Sequence, residues 1–308
     1  MIRLRTLFII IIATHLWMIP RALHAQAGNA GLAFLKLGVS ARGVSMGDAM
    51  SALADGAVAT HYNPAGVFSK DISSAQVLLM HKEWIQDVRS EFLGASIALG
   101  EASALGISIN TTTVSDIEIR SRPGTPEGTF TSRDYSLGAT YAHQISDDLK
   151  IGVSGKFLFE KIFVDEATGY GIDIGAQYRT PIENLSVGLA VQNLGALSEM
   201  RTEKLKLPTL ARLGPAYSFA VEDMNSNVTL AADLLHIFPE KKSYVGLGGE
   251  VLFNSTVAAR FGYQLGSNAR GVSAGLGVRH GMFAVDYAFI PLSSDLGSGH
   301  TFSVLLNL

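Results

Sequence analysis

The chain has 308 residues, a formal net charge of -3, 47% hydrophobic and only 17% charged side chains, and 32 glycines but no cysteine. Without thiols there are no disulfides, thiolate metal centres or acylated N-terminal cysteine, and the weak acidity argues against a nucleic-acid partner. Beyond residue 20 no run reaches the roughly 18 apolar residues of a membrane helix, so shorter elements must carry the hydrophobicity.

Residues 1–27 have the layout of a removable secretion signal. Arg3 and Arg5 precede the apolar run Leu7 to Ile12, Pro20 breaks it, and Ala25-Gln26-Ala27 supplies a small-x-small cleavage site. Residues 28–70 are expected to form a separate N-terminal segment. From Gly31 to Gly66 it is rich in Ala and Gly, lacks strand alternation, and carries Arg42, Asp48 and Asp55. Short helical turns are expected here. Asp48 is placed near a helix N-terminus, where a carboxylate complements free N–H groups. Asn63 before Pro64 is expected to stop a helix, because proline drives its predecessor out of the α region.

Residues 71–308 read as strand after strand. Leu149, Ile151, Val153, Phe157 and Phe159 alternate with Lys150, Gly152, Ser154, Lys156 and Glu160, one face fit for lipid and the other for water. The pattern recurs in Tyr170/Ile172/Ile174 against Asp173/Gln177/Arg179, and in Val257/Ala259/Phe261/Tyr263 against Arg260/Gln264. Strands are predicted at 75–81, 90–99, 103–113, 134–144, 149–161, 170–180, 185–193, 208–219, 227–237, 244–253, 256–265, 271–280, 282–290 and 300–308. Short connections alternate with longer ones, among them Val114 to Arg133, Gly195 to Leu207 and Pro291 to Gly299. Such parity belongs to barrels with short periplasmic turns and longer outer loops. The fold class is therefore all-β: an antiparallel transmembrane β-barrel of about 14 strands, with a short helical hatch or plug before it. Tyrosines and phenylalanines near strand ends, such as Tyr141, Tyr178, Tyr217 and Phe289, suit interfacial girdles.

With the apolar half facing lipid, the lumen-facing charges are Lys150, Lys156, Arg179, Arg212, Arg260 and Arg279 against Glu160, Asp173, Asp233, Glu250 and Asp286. Near-balanced signs suit cross-lumen ion pairs and a held plug better than a selective pore, whose constriction tends to carry one sign. A polar substrate path is the competing reading. No catalytic, metal or cofactor site is expected. The histidines are scattered, and no Gly-x-Ser-x-Gly elbow, phosphate loop or His-Glu-x-x-His pair occurs.

Three ordered blocks carry a family likeness: Ala33 to Gly38, then Ala41-Arg42-Gly43-Val44-Ser45-Met46-Gly47-Asp48-Ala49, then His61-Tyr62-Asn63-Pro64-Ala65-Gly66. They resemble the N-terminal signature of the PorV/PorQ family, outer-membrane barrels of the FadL-like group. The resemblance implies a fourteen-strand barrel with an N-terminal hatch in the outer membrane. It singles out Arg42, Met46, Gly47, Asp48, Asn63, Pro64, Ala65 and Gly66 as motif residues. Two functions follow from it. One is a non-enzymatic role in type IX protein secretion and surface attachment, with secretion components or cargo C-terminal domains as partners beside lipid and lipopolysaccharide. The other is FadL-like transport of a hydrophobic small molecule. For a protein partner, the outer segments Ser115 to Ser132 and Ala196 to Lys206 are the candidate surface, with Arg120, Arg122, Arg201, Lys204 and Lys206 giving a basic lean.

Overall fold

The computed structural model describes residues 31–70, 74–201 and 205–308; the expected signal segment lies outside them. Fourteen antiparallel strands form one closed barrel in sequence order. They are β1 (Ala75–Glu83), β2 (Val88–Leu99), β3 (Ser103–Ile119), β4 (Gly128–Gln144), β5 (Leu149–Ile162), β6 (Asp165–Arg179) and β7 (Leu185–Leu197). The circuit continues with β8 (Leu210–Val221), β9 (Ser226–Ile237), β10 (Lys242–Phe253), β11 (Val257–Leu265), β12 (Val272–His280), β13 (Phe283–Pro291) and β14 (Ser298–Asn307). β1 closes onto β14 in a register from Gln76↔Asn307 to Glu83↔His300, so no edge is left unpaired.

The period-two pattern explains the wall. Leu276, Ile107 and Phe261 are each more than half exposed on the outside, while Ser108, Ser154, Asp173 and Arg260, on the other face, are buried. Such a wide apolar band is stable only against lipid. At the end where β1 begins and β14 finishes, no connection exceeds five residues, 180–184 being the longest. That end is the periplasmic one by the usual asymmetry of such barrels.

One expectation needs correction at the opposite, outer end. Val114 to Arg133 is not a long loop: β3 runs on to Ile119 and β4 starts at Gly128, leaving only 120–127 as the turn. A bulge between Val114 and Ile117, with Asp116 at φ 58°, shifts the alternation and hides the strand from a period-two reading. β3 and β4 each have 17 residues, whereas β11, β12 and β13 have 9. A crossing needs about 9–11 residues, so this hairpin stands roughly 20 Å clear of the bilayer on one side.

The lumen holds residues 31–70, the hatch. It consists of a 3-10 turn (Ala33–Lys36), helix α1 (Ala41–Ser45), a 3-10 turn (Gly56–Val58), helix α2 (Ala59–Tyr62) and a last 3-10 turn (Pro64–Val67). Its start sits at the outer end, where the Gly31 N–H donates to Lys206 O (3.1 Å) and Lys36 Nζ meets Glu240 (2.5 Å). Its finish sits at the periplasmic end, with Lys70 Nζ 3.3 Å from Asp147. The hatch thus runs through the lumen end to end.

Candidate functional site: the hatch and its seat

Helices of four or five residues cannot satisfy their own polar backbone, so the wall must supply partners. Ser40 caps α1 by accepting from the Gly43 N–H (3.0 Å), and the Ala41 N–H donates to Ser303 Oγ of β14 (3.1 Å). At the helix end Ser273 of β12 donates to Ser45 O (3.1 Å). Asp48 therefore does not stand at a helix N-terminus, as the sequence had led us to expect. It follows the end of α1 at φ 61°, and its carboxylate turns to long-range partners: Tyr62 Oη donates to Oδ1 (2.8 Å) and Arg270 Nη2 lies 2.9 Å from Oδ2. Burial alone would raise the Asp48 pKa, but Arg270, Lys82, Arg212 and the Tyr62 hydroxyl together lower it to about 2.

The motif residues each meet the wall or the hatch itself. Arg42 grips Glu250 of β10 with Nε at 3.0 Å and Nη2 at 2.8 Å. The Glu250 charge, outweighing the cost of burial, raises the Arg42 pKa further. Met46 is fully buried against Gly248 of β10. Gly47, at φ 64°, passes so close to β10 that a Cβ there would sit 2.7 Å from Leu247 O. Asn63 donates to Ser51 O (2.8 Å) and Ala176 O (3.0 Å) while its Oδ1 caps Ala65 N, and Pro64 packs where β5 and β6 present Gly152 and Gly175. Ala65 and Gly66 are buried, Gly66 against Ala54 and Ala59.

Several of the wall charges chosen from the sequence bond to this plug directly, and others reach it through a second charge. Asp233 of β9 accepts three bonds at Oδ2, from Met50 N (3.0 Å), Ser51 N (2.9 Å) and Ser51 Oγ (2.6 Å). Arg212 of β8 donates to Gln192 (2.9 Å) and lies over the Tyr62 ring. Glu250 also pairs with Arg260 of β11, which reaches over β12 to Asp286 of β13 (2.7 Å). Arg279 lines a cavity of about 240 Å³ beside Arg42, Asp55 and Asp286. At the periplasmic rim, Lys150 donates to Phe68 O (3.2 Å), and Arg179 is exposed at the end of β6. Lys156 of β5 pairs with Asp173 of β6 (2.6 Å), while Glu160, at the outer mouth, lies against Gly31 and takes the Leu32 N–H.

A bulge helps to build the seat. Between the pairs Ile172↔Leu194 and Ile174↔Val191, β7 sets two residues, Gln192 and Asn193, against Asp173. Both then face the lumen, where Gln192 donates to His61 O and Asn193 Oδ1 accepts from Lys156 (3.0 Å). Burial, then the Lys156 and Arg212 charges, hold the His61 pKa well below its usual value, so its ring stays neutral.

The sequence reading missed Lys82 and Arg270. Lys82 is 2% exposed and donates to Gly38 O; extending the β1 alternation Gln76/Leu78/Met80 by one more step would have found it. Arg270 lies in an outer connection, and no local pattern marks it. The basic lean of the outer segments also needs correction. Ser115 to Ser132 holds three acids, Asp116, Glu118 and Glu127, against two arginines. Arg120 is paired with Glu118 (2.7 Å) and Arg201 with Asp165 (2.7 Å). Lys204 lies outside the described residues. Among those described, no three His, Cys, Asp or Glu side chains converge as a metal-binding group.

Residues 23–240 match the family described as Type IX secretion system protein PorV. No curated protein matches the sequence. The fold is similar to that of the Pseudomonas putida toluene transporter TodX, at 13% identity and TM-score 0.61, over 87% of this chain and 96% of that one. It is also similar to a Pseudomonas aeruginosa FadL homologue, at 12% identity and TM-score 0.56, over 87% and 98% of the respective chains. At such identities the likeness is one of fold.

Proposed function

The chain belongs to the PorV family, and from that premise we propose that this outer-membrane barrel is a non-enzymatic component of type IX protein secretion that binds protein partners at its outer face. The observation that carries the reading is the seating of the hatch. Ion pairs and hydrogen bonds from β1, β5, β6, β7, β9, β10, β12 and β14 hold it, which suits a barrel whose lumen is filled and whose function lies on its surface. The tall β3–β4 hairpin is the surface that this reading assigns to a partner. Its paired charges favour shape and hydrogen bonding over net attraction as the basis of recognition.

Replacing Arg120 to Glu127 by a two-residue turn tests the assignment. The barrel should remain heat-modifiable on a gel, and secreted proteins should no longer co-purify with it; retained co-purification would overturn the role of the hairpin. FadL-like transport of hydrophobic molecules is the competing function. It requires a continuous apolar path, whereas the inward wall residues, apolar ones such as Met80, Phe92 and Leu158 among them, are buried beside the hatch and interspersed with Ser, Gln and charged groups. Uptake of a labelled fatty acid above that of empty-vector cells would reverse the order of the two.

A further inference from the structure

Arg279 of β12 is a cation that the fold leaves without an anion. Period two turns it inward, on the same face as its register partner, the buried Ala284 of β13. Among the described residues no carboxylate lies within 4.0 Å of its guanidinium, and its side chain makes no hydrogen bond. The acids nearby are taken: Asp286 holds Arg260 at 2.7 Å, and Glu250 is shared by Arg42 and Arg260. The charge that acts most strongly on Arg279 is a like one, that of Arg42. Both line the same cavity. Two guanidinium groups that repel each other across a partly buried space call for an anion between them.

A second observation comes from the hydrogen bonds around that cavity. The Ser40 and Ser303 oxygens already accept from the Gly43 and Ala41 N–H groups, and Asn307 Oδ1 accepts from Gln76. What each has left is a donor, two hydroxyl protons and the Asn307 amide. Of the two lining acids, Asp286 is held by Arg260, and Asp55 stands 4.0 Å from Arg42 Nη1 with its side chain 43% exposed. The free polar groups are therefore mostly donors. The rest of the lining is apolar, with Leu78, Leu305 and Val58 facing the room that the short Ala284 leaves open. Its volume of about 240 Å³ lies below the roughly 300–1,000 Å³ of pockets for drug-sized ligands. Gly281 and Asn307, exposed at the periplasmic rim, form its entrance, and the buried Ser40 and Met50 of the hatch close it from within.

We propose that this cavity binds a small monocarboxylate with a short apolar body, taken up from the periplasmic side. Arg279 holds the carboxylate, because the planar fork of a guanidinium matches two carboxylate oxygens, and the Ser40 and Ser303 hydroxyls donate to the same oxygens. The hydrocarbon lies against Leu78, Leu305 and Val58. An inorganic anion would satisfy the donors but leave that apolar wall uncovered. The ligand occupies the seam between the hatch, which supplies Ser40, Arg42 and Val58, and the wall of β12, β13, β14 and β1. Its binding ties the two together by mass action, at the end of the barrel opposite the tall hairpin.

The test titrates the full-length protein in detergent with isovalerate, followed by calorimetry. One site per chain is expected, with a dissociation constant of about 1 mM for a ligand of this size. Acetate keeps the charge and lacks the apolar body; each buried methylene contributes about fourfold, so acetate should bind at least tenfold more weakly. Isoamylamine keeps the body and reverses the charge, and should not bind. Arg279→Gln should weaken isovalerate binding at least tenfold, with part of the loss recovered by Arg279→Lys. Ala284→Leu should fill the cavity and abolish binding while Arg279 stays in place. Absence of isovalerate binding to the wild type overturns the site even if a variant fails to fold. Acetate binding as tightly as isovalerate would leave an adventitious ion only, and isoamylamine binding as tightly would show that the charge is not read; either result overturns the proposal. Binding unchanged in Ala284→Leu puts the ligand elsewhere and overturns it equally.

Discussion

Arg42 of the hatch and Glu250 of β10 form a two-pronged ion pair, Nε to Oε2 at 3.0 Å and Nη2 to Oε1 at 2.8 Å, that joins residues 208 apart in the chain. The same carboxylate binds Arg260, so its removal leaves Arg260 to Asp286 and Arg42 with only Asp55, 4.0 Å away. Breaking one side of a buried pair costs about 3–5 kcal/mol, because the other charge remains buried. Glu250→Gln should therefore loosen the hatch while the barrel still closes through its backbone ladder. Single-channel recording in planar bilayers should show a closed wild type and frequent openings in the variant. Equal conductance of the two would mean that the pair does not hold the plug.

Gly277 of β12 lies beneath the Arg260–Asp286 bridge, and a Cβ there would come within 2.8 Å of Arg260 Nη1 and overlap Asp286 Oδ1. Gly277→Ala should break the bridge and cost about 1–3 kcal/mol, as overpacking does. Gly155→Ala on β5 is the control, since its Cβ would meet nothing within 4 Å. Thermal unfolding in detergent should separate the two; matching melting temperatures would show that the bridge contributes nothing to the fold.

The barrel was legible because lipid imposes a strict alternation over every crossing, and strands such as Leu149–Ile162 keep it without a break. Legibility ended where lipid ended. Beyond Val114 the bulge at Asp116 shifts the phase, so the projecting half of β3 and β4 read as loop. The hatch lacked a period altogether. Its α1 is set by the Ser40 cap and by β14, and the partners of Asp48, namely Tyr62 and Arg270, lie 14 and 222 residues away. Inward charges could be found by parity, but which of them touched the hatch depended on three-dimensional register.

Asp48 makes hatch seating depend on pH. Its pKa is lowered from the ordinary carboxylate range to about 2, so the folded state binds this proton less readily than the unfolded chain. The stabilisation, about 2 kcal/mol by linkage, is fully present above the unfolded pKa near 4 and is lost as pH falls through about 2. Asp48→Asn should lower the unfolding temperature at pH 6, and the gap to the wild type should shrink steadily between pH 4 and pH 2. A gap independent of pH would show that packing, not charge, places Asp48.

Asp233 holds the turn after α1 by a single oxygen, which takes the Met50 N–H, the Ser51 N–H and the Ser51 hydroxyl at 2.6 to 3.0 Å. All of these groups are buried, so Asp233→Ala strands donors that water cannot reach, at about 1–3 kcal/mol for each one left unpaired. Asp233→Asn keeps one acceptor oxygen and should recover part of the loss. Ser51→Ala removes only the hydroxyl and should cost least. Hydrogen exchange of the Met50 and Ser51 amides, read by mass spectrometry, should follow the order alanine, asparagine, wild type from fastest to slowest, with the barrel strands unchanged. Faster exchange throughout the strands would mean that Asp233 supports the wall itself, and slow exchange of both amides in Asp233→Ala would mean that the rest of the seat holds this turn without it.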